Sequence, residues 1–84
     1  MKKQRYFVCN RQTARSQSHP EADYEIQVLD AQGRGKHVGY LRYGDTEIEI
    51  GGQPIPKAVI DAAHRQPEGK GDYVNEGGQS ISPF

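Results

Sequence analysis

Apolar and polar positions alternate at period two through several short stretches and fall at helical spacing in one. Arg5-Tyr-Phe-Val-Cys9 is an aromatic and β-branched run that reads as a strand. Tyr24-Glu-Ile-Gln-Val-Leu29 alternates, with Tyr24, Ile26 and Val28 on one face. Asp30 to Lys36 supplies turn residues. His37 to Tyr43 and Thr46 to Ile50 then flank Gly44-Asp45, and a Gly-X pair between alternating runs predicts a hairpin with a type II′ turn. That loop sets Leu41 opposite Ile48, Arg42 opposite Glu47 and Tyr40 opposite Glu49. Leu41, Ile48, Ile50 and Tyr43 share one face of the hairpin. Tyr40, Arg42, Glu47 and Glu49 share the other.

Gly51-Gly-Gln-Pro-Ile-Pro56 breaks the sheet, and Pro56 suits a first helical position, where its missing N–H costs nothing. Lys57 to Arg65 follows as a short helix with Val59, Ile60 and Ala63 inward, ended by Pro67 and Gly69. His64 and Arg65 close it where positive charge suits the dipole. Asp72-Tyr-Val74 reads as a last strand. The fold class is α+β: a small antiparallel sheet of three to four strands, a meander with the Gly44-Asp45 hairpin, packed with one short helix. Residues 10–23 read as a long polar loop and 75–84 as a flexible tail.

Composition limits the core. With 84 residues there is room for one domain, 1–84. Leu, Ile, Val and Phe make up 15 of those residues, below the share of about 20% that marks weak core formation. The formal net charge is zero, so the charge half of a disorder signature is missing. A core this small points to completion by a homodimer or a partner. The lone Cys9 excludes an intramolecular disulfide framework. No apolar run approaches 18 residues, and Met-Lys-Lys is followed by no apolar signal segment, so the expected setting is cytoplasmic with no membrane contact.

Charge is uneven along the chain. Lys2, Lys3, Arg5, Arg11 and Arg15 precede every acid, so residues 1–19 carry +5 and residues 20–84 carry −5. Such a segment suits an acidic surface, on a partner or on the protein itself.

No catalytic constellation is present, and the expectation is a protein that is not an enzyme and uses no cofactor. His19, His37 and His64 form no His-x-x-x-His, so no zinc signature arises. Cys9 lies in a strand, as a small core or edge residue. None of Ser16, Ser18, Ser80 and Ser82 sits in a Gly-x-Ser-x-Gly frame. Gly33-Arg-Gly35 and Gly69-Lys-Gly71 lack the full phosphate-loop spacing and read as turn and helix-exit glycines.

Tyr40, Arg42, Glu47 and Glu49, with Asp45 at the turn, therefore form the leading contact patch, since Tyr and Arg are enriched at interface hot spots. Lys2, Lys3 and Arg5 form the second. The expected function is a non-catalytic protein-binding module, on base rates a phage- or plasmid-type accessory protein that inhibits or adapts a larger host machine. Nucleic acid is the alternative partner. Ile55-Pro-Lys-Ala-Val59 followed by Gly71-Asp-Tyr-Val74 resembles the core of AbrB/MazE-type swapped-hairpin domains. That resemblance implies a DNA-binding dimer with Lys57 as a phosphate contact. Gly52 and Ile60 stand where that family carries basic residues. The ending Ile81-Ser-Pro-Phe84 resembles the partner-recruiting tail of bacterial single-stranded-DNA-binding proteins, without its acidic run.

Overall fold

A computed structural model describes residues 4–12 and 20–81. Within these residues six strands and one helix run in the order β1 (Arg5–Asn10), β2 (Tyr24–Leu29), β3 (Gly35–Leu41), β4 (Glu49–Ile50), β5 (Gln53–Pro54), α1 (Lys57–His64) and β6 (Gly71–Asn75). The main sheet has four antiparallel strands ordered β3-β2-β1-β6, and α1 packs on it, so the α+β architecture stands.

Alternation decides which side chains face the helix. Tyr6 pairs with Val28 and Val74, and Val8 pairs with Ile26, so directly opposed residues line one face. Leu41 joins them by pairing with Tyr24. From α1, Val59, Ile60, Ala62 and Ala63 are buried against this face. The two alanines keep the helix close to the strands. The core also recruits Tyr6 and Tyr24, so tyrosine and alanine supply bulk that the scarce aliphatic residues do not. Pro56 precedes the helix as its cap, and its carbonyl accepts the N–H groups of Val59 at 3.0 Å and Ile60 at 3.2 Å.

The Gly44-Asp45 hairpin does not form. β3 pairs with β2, and β4 pairs with β5 through Glu49 with Pro54 and Ile50 with Gln53. Leu41 thus opposes Tyr24 in place of Ile48, and Tyr40 opposes Glu25 in place of Glu49. The reason lies in two carboxylates. Asp23 Oδ2 accepts the Tyr43 N–H at 2.7 Å, and Asp45 Oδ2 accepts the Arg42 N–H at 2.9 Å. The Tyr43 N–H that a hairpin ladder would have drawn on is already taken. The Asp45 carbonyl lies 2.8 Å from His64 Nε2, tying the turn to α1. The chain therefore leaves the sheet plane and crosses its helix-side face.

The two-residue hairpin sits one turn later, at Gly51-Gly52, between Ile50 and Gln53. Both glycines have positive φ, +62° and +79°, as a type I′ turn requires. Its arm rests on bare backbone at Gly39, where an added Cβ would lie 2.5 Å from Ile50 Cγ1 and 2.6 Å from Cδ1. Ile48 and Ile50 reach the core there, as the alternation implied, while Tyr43 is 76% exposed.

Residues 76–81 belong to the span expected as a tail, and they have backbone partners. Asn75 N–H donates to Gln79 O at 3.0 Å, Ile81 N–H donates to Tyr73 O at 2.9 Å, and Ser80 bridges Val74. Of the loop expected over 10–23, residues 13–19 lie outside the described residues; its near ends are held by an Arg11 N–H to Asp23 O bond of 2.6 Å.

Two outcomes follow from this packing. Gly39→Ala should cost about 1–3 kcal/mol by overpacking against Ile50, read as a lower denaturation midpoint. An unchanged midpoint would mean that the arm does not seat there. Asp30 accepts the backbone N–H groups of Arg34 and Gln32, each at 2.9 Å. The Arg34 N–H, first among these influences, holds the Asp30 carboxyl below the usual carboxylate range. A lowered carboxyl contributes stability above its unfolded value and loses it as pH falls through the folded value. Asp30→Ala should accordingly weaken the acid dependence of amide protection at Gln32 and Arg34, measured by hydrogen exchange.

Candidate binding face of the sheet

One face of the sheet is covered by α1 and the arm. On the other, odd positions of β1 and their neighbours point away from the core: Phe7 with Gln27 and Tyr73, Cys9 with Glu25 and Gly71. The Phe7 and Tyr73 rings lie 5.0 Å apart between centroids with planes inclined at 56°. Both residues are half-buried with no element laid over them among the described residues. Val38, 46% exposed, and Tyr40 extend this face onto β3, beside Gln27 and Glu25.

A polar chain borders the aromatics. Gln27 Nε2 donates to Glu25 Oε2 at 2.6 Å, and Arg11 Nη1 pairs with Glu25 Oε1 at 3.1 Å. The Arg11 guanidinium also stands 5.4 Å from the Tyr40 ring centroid, within cation–π range. Arg11 and Glu25 are both largely shielded, so this contact is a fixed part of the face.

The expected patch is divided. Tyr40 belongs to the open face, opposite Glu25. Arg42 is exposed in the turn after β3. Glu47 and Glu49 are exposed on the arm, where they edge a shallow groove of about 410 Å³ that also includes Ile55 and Lys57. Arg5 is half-buried on β1, and its Nη2 donates to the carbonyls of Asp30 at 3.2 Å and Ala31 at 3.1 Å. It clamps the β2–β3 turn. Lys2 and Lys3 lie outside the described residues, as does the Pro-Phe ending. Phe7 and Tyr73 were missed, although each sits out of phase with its buried neighbours Tyr6, Val8 and Val74. That parity was the available signal.

Chemically, this face offers contact area and little reactivity. Burial pushes the Cys9 thiol up, the Glu25 charge adds to the rise, and Arg11 only partly opposes it. The thiol is therefore protonated at neutral pH and a poor nucleophile. His64 Nε2 is engaged by the Asp45 carbonyl, and its ring packs edge-on to Tyr24 at 4.5 Å. Among the described residues no group of three His, Cys, Asp or Glu side chains is placed to hold a metal ion. No described helix is long and apolar enough to cross a membrane.

Cys9 should alkylate with iodoacetamide more slowly than free cysteine at neutral pH, and Glu25→Gln should speed the reaction. A rate–pH midpoint below the free-thiol value of about 8.5 would contradict this account.

No family model, no curated protein and no solved structure matches this chain.

Proposed function

We propose that this protein is a non-catalytic protein-binding module that works through the helix-free face of its sheet. The observation that carries the reading is the Phe7–Tyr73 pair, half-buried at the middle of a face that no described element covers. Aromatics of this kind supply contact area at low entropy cost, because a ring fixed by a cross-strand neighbour has little freedom left to lose. Tyr40 and Val38 widen the apolar centre, and the Gln27–Glu25–Arg11 chain gives it a polar edge. An apolar centre with a polar rim is the usual anatomy of a protein interface. A module of this size acts by occupying a surface of something larger, which is how an accessory or inhibitory protein works.

Nucleic acid is the second reading, because aromatic sheet faces also stack bases. Its electrostatic half falls to the β3 side, where Arg34, Lys36 and Arg42 are exposed. The guanidinium of Arg11 is paired with Glu25, that of Arg5 holds two carbonyls, and Lys57 Nζ is paired with Asp61 at 3.2 Å. The segment that resembles AbrB-type domains packs its helix on β1, β2 and β6 of its own chain.

Phe7→Ala and Tyr73→Ala should each weaken partner binding by about 1–4 kcal/mol if they are hot spots. Their cost to folding should stay near the cross-strand contribution of about 0.2–1 kcal/mol. The measurement is partner capture and titration calorimetry on variants whose circular dichroism matches wild type. Wild-type binding by both variants would remove this face from the function. A steep salt dependence with an oligonucleotide, lost in Tyr73→Ala, would favour the nucleic-acid reading.

A further inference from the structure

The two edges of the sheet differ, and the difference names the kind of segment a partner would present, given the protein-binding reading above. At the β6 edge the chain returns on itself, with Ser80 bridging Val74 and the Ile81 N–H bonded to Tyr73 O at 2.9 Å. At the other edge, among the described residues, β3 ends the sheet. The stretch that the sequence pattern would have paired with it, Thr46 to Ile50, crosses the helix-side face and pairs with β5.

Backbone direction on β3 follows from the ladder. In antiparallel pairs a residue sends its N–H and C=O to the same side, and the side alternates along the strand. Asn10 N–H bonds to Lys70 O on the β6 side, and Arg11 N–H bonds to Asp23 O on the β2 side. Tyr24, Ile26 and Val28 consequently face β3, where they pair with Leu41, Gly39 and His37. Val38, between two of these, sends its N–H and C=O away from the sheet, and it is 46% exposed. β3 contains no proline, and its seven residues exceed the short length that commonly blunts an edge.

Charge selects the occupant. Residues 31–44 contain Arg34, Lys36 and Arg42, all exposed, and no acid. Of the acids near this stretch, Glu47 and Glu49 are exposed on the arm across the helix-side face, and the others hold bonds within their own chain. Asp30 accepts Gln32 and Arg34 N–H groups, Asp45 accepts the Arg42 N–H, and Glu25 on β2 is paired with Arg11. A second copy paired antiparallel about Val38 would bring Arg34 of each copy towards Arg42 of the other. An acidic strand meets the same edge with attraction.

We infer that β3 is a strand-addition site for an extended, acid-bearing segment of a partner protein. Main-chain bonds at Val38 supply the pairing, and Lys36 with its basic neighbours selects against cationic or neutral strands.

The test titrates the ¹⁵N-labelled full chain with an acetylated, amidated Glu-Val-Glu-Val-Glu-Val peptide and with its Lys-for-Glu counterpart. The acidic peptide should shift the Val38 amide and slow its exchange, and the Lys peptide should bind at least tenfold more weakly. Val38→Pro should abolish the effect of the acidic peptide, since proline is tolerated at an edge but donates nothing outward. A Lys36→Glu, Arg42→Glu double variant keeps the backbone intact and should reverse the preference between the peptides. A Val38 amide untouched at millimolar acidic peptide overturns the inference, as does equal response to both peptides. Protection of Val38 that grows with protein concentration alone overturns it in favour of self-pairing. If a natural partner is lost by Tyr73→Ala and kept by Val38→Pro, strand addition falls while the protein-binding reading stands.

Discussion

Among the described residues, one eight-residue helix and one short arm cover a four-stranded sheet, and they lie over only one of its faces. Everything apolar is arranged around that shortage. Val59, Ile60, Ala62 and Ala63 lie over the middle strands, and the arm closes the end near β3 by setting Ile48 and Ile50 on the bare backbone of Gly39. Each fully buried aliphatic side chain is worth about 1.5–3 kcal/mol, so a core with few of them cannot lose even one cheaply. The same shortage leaves Phe7 and Tyr73 half-buried on the far side, with no described element over them. Their exposure is a consequence of topology, and it is also what makes the face usable.

The strands, the helix and the inward-facing residues were legible because period two and period 3.6 are local signals. Tyr24, Ile26 and Leu41 fell on the core side, and so did Ile48 and Ile50. What the local pattern could not supply was the partner of each strand. Both faces of the expected Gly44-Asp45 hairpin were chemically coherent, yet coherence tests which face a residue takes and not which strand lies beside it. The deciding bonds come from Asp23 and His64, distant in sequence from the turn they fix. A local clue did exist. Gly51-Gly52 is itself a two-residue hairpin signal, and Pro54 is tolerable in β5 because that strand pairs only with β4.

The candidate site was legible only at Tyr40. Glu47 and Glu49 were expected beside it because the hairpin was, and they moved to the arm with the strand that carries them. Arg5 was read from the sequence as a charge for a partner, whereas its guanidinium is already spent on the carbonyls of Asp30 and Ala31. A basic residue's sign is visible in a sequence, but its availability depends on the acceptors that folding brings to it. Phe7 and Tyr73 could have been placed by parity once Tyr6, Val8 and Val74 were assigned inward. Their adjacency could not, since it needs β6 to return beside β1 across most of the chain.

Edge management completes the physical picture. A sheet with two free edges invites uncontrolled pairing, and this chain protects its edges by different means. The β6 edge is closed by the chain's own hydrogen-bonded return, which Asn75 templates through its side-chain oxygen, accepting the Gly77 and Gln79 N–H groups at 2.9 and 3.0 Å. The β3 edge carries basic side chains, and its inner pairing with β2 shifts register at Val28/Leu29, where Lys36 is the extra residue. Closure excludes every strand, whereas like charge excludes only strands that resemble β3 itself. An edge guarded by charge and not by closure is therefore selective, and the selection follows from the sign of Arg34, Lys36 and Arg42 in a stretch, 31–44, that holds no acid. The aromatic face and the basic edge meet at Val38 and Tyr40, so a segment paired along β3 would run beside the surface that Phe7 and Tyr73 leave open.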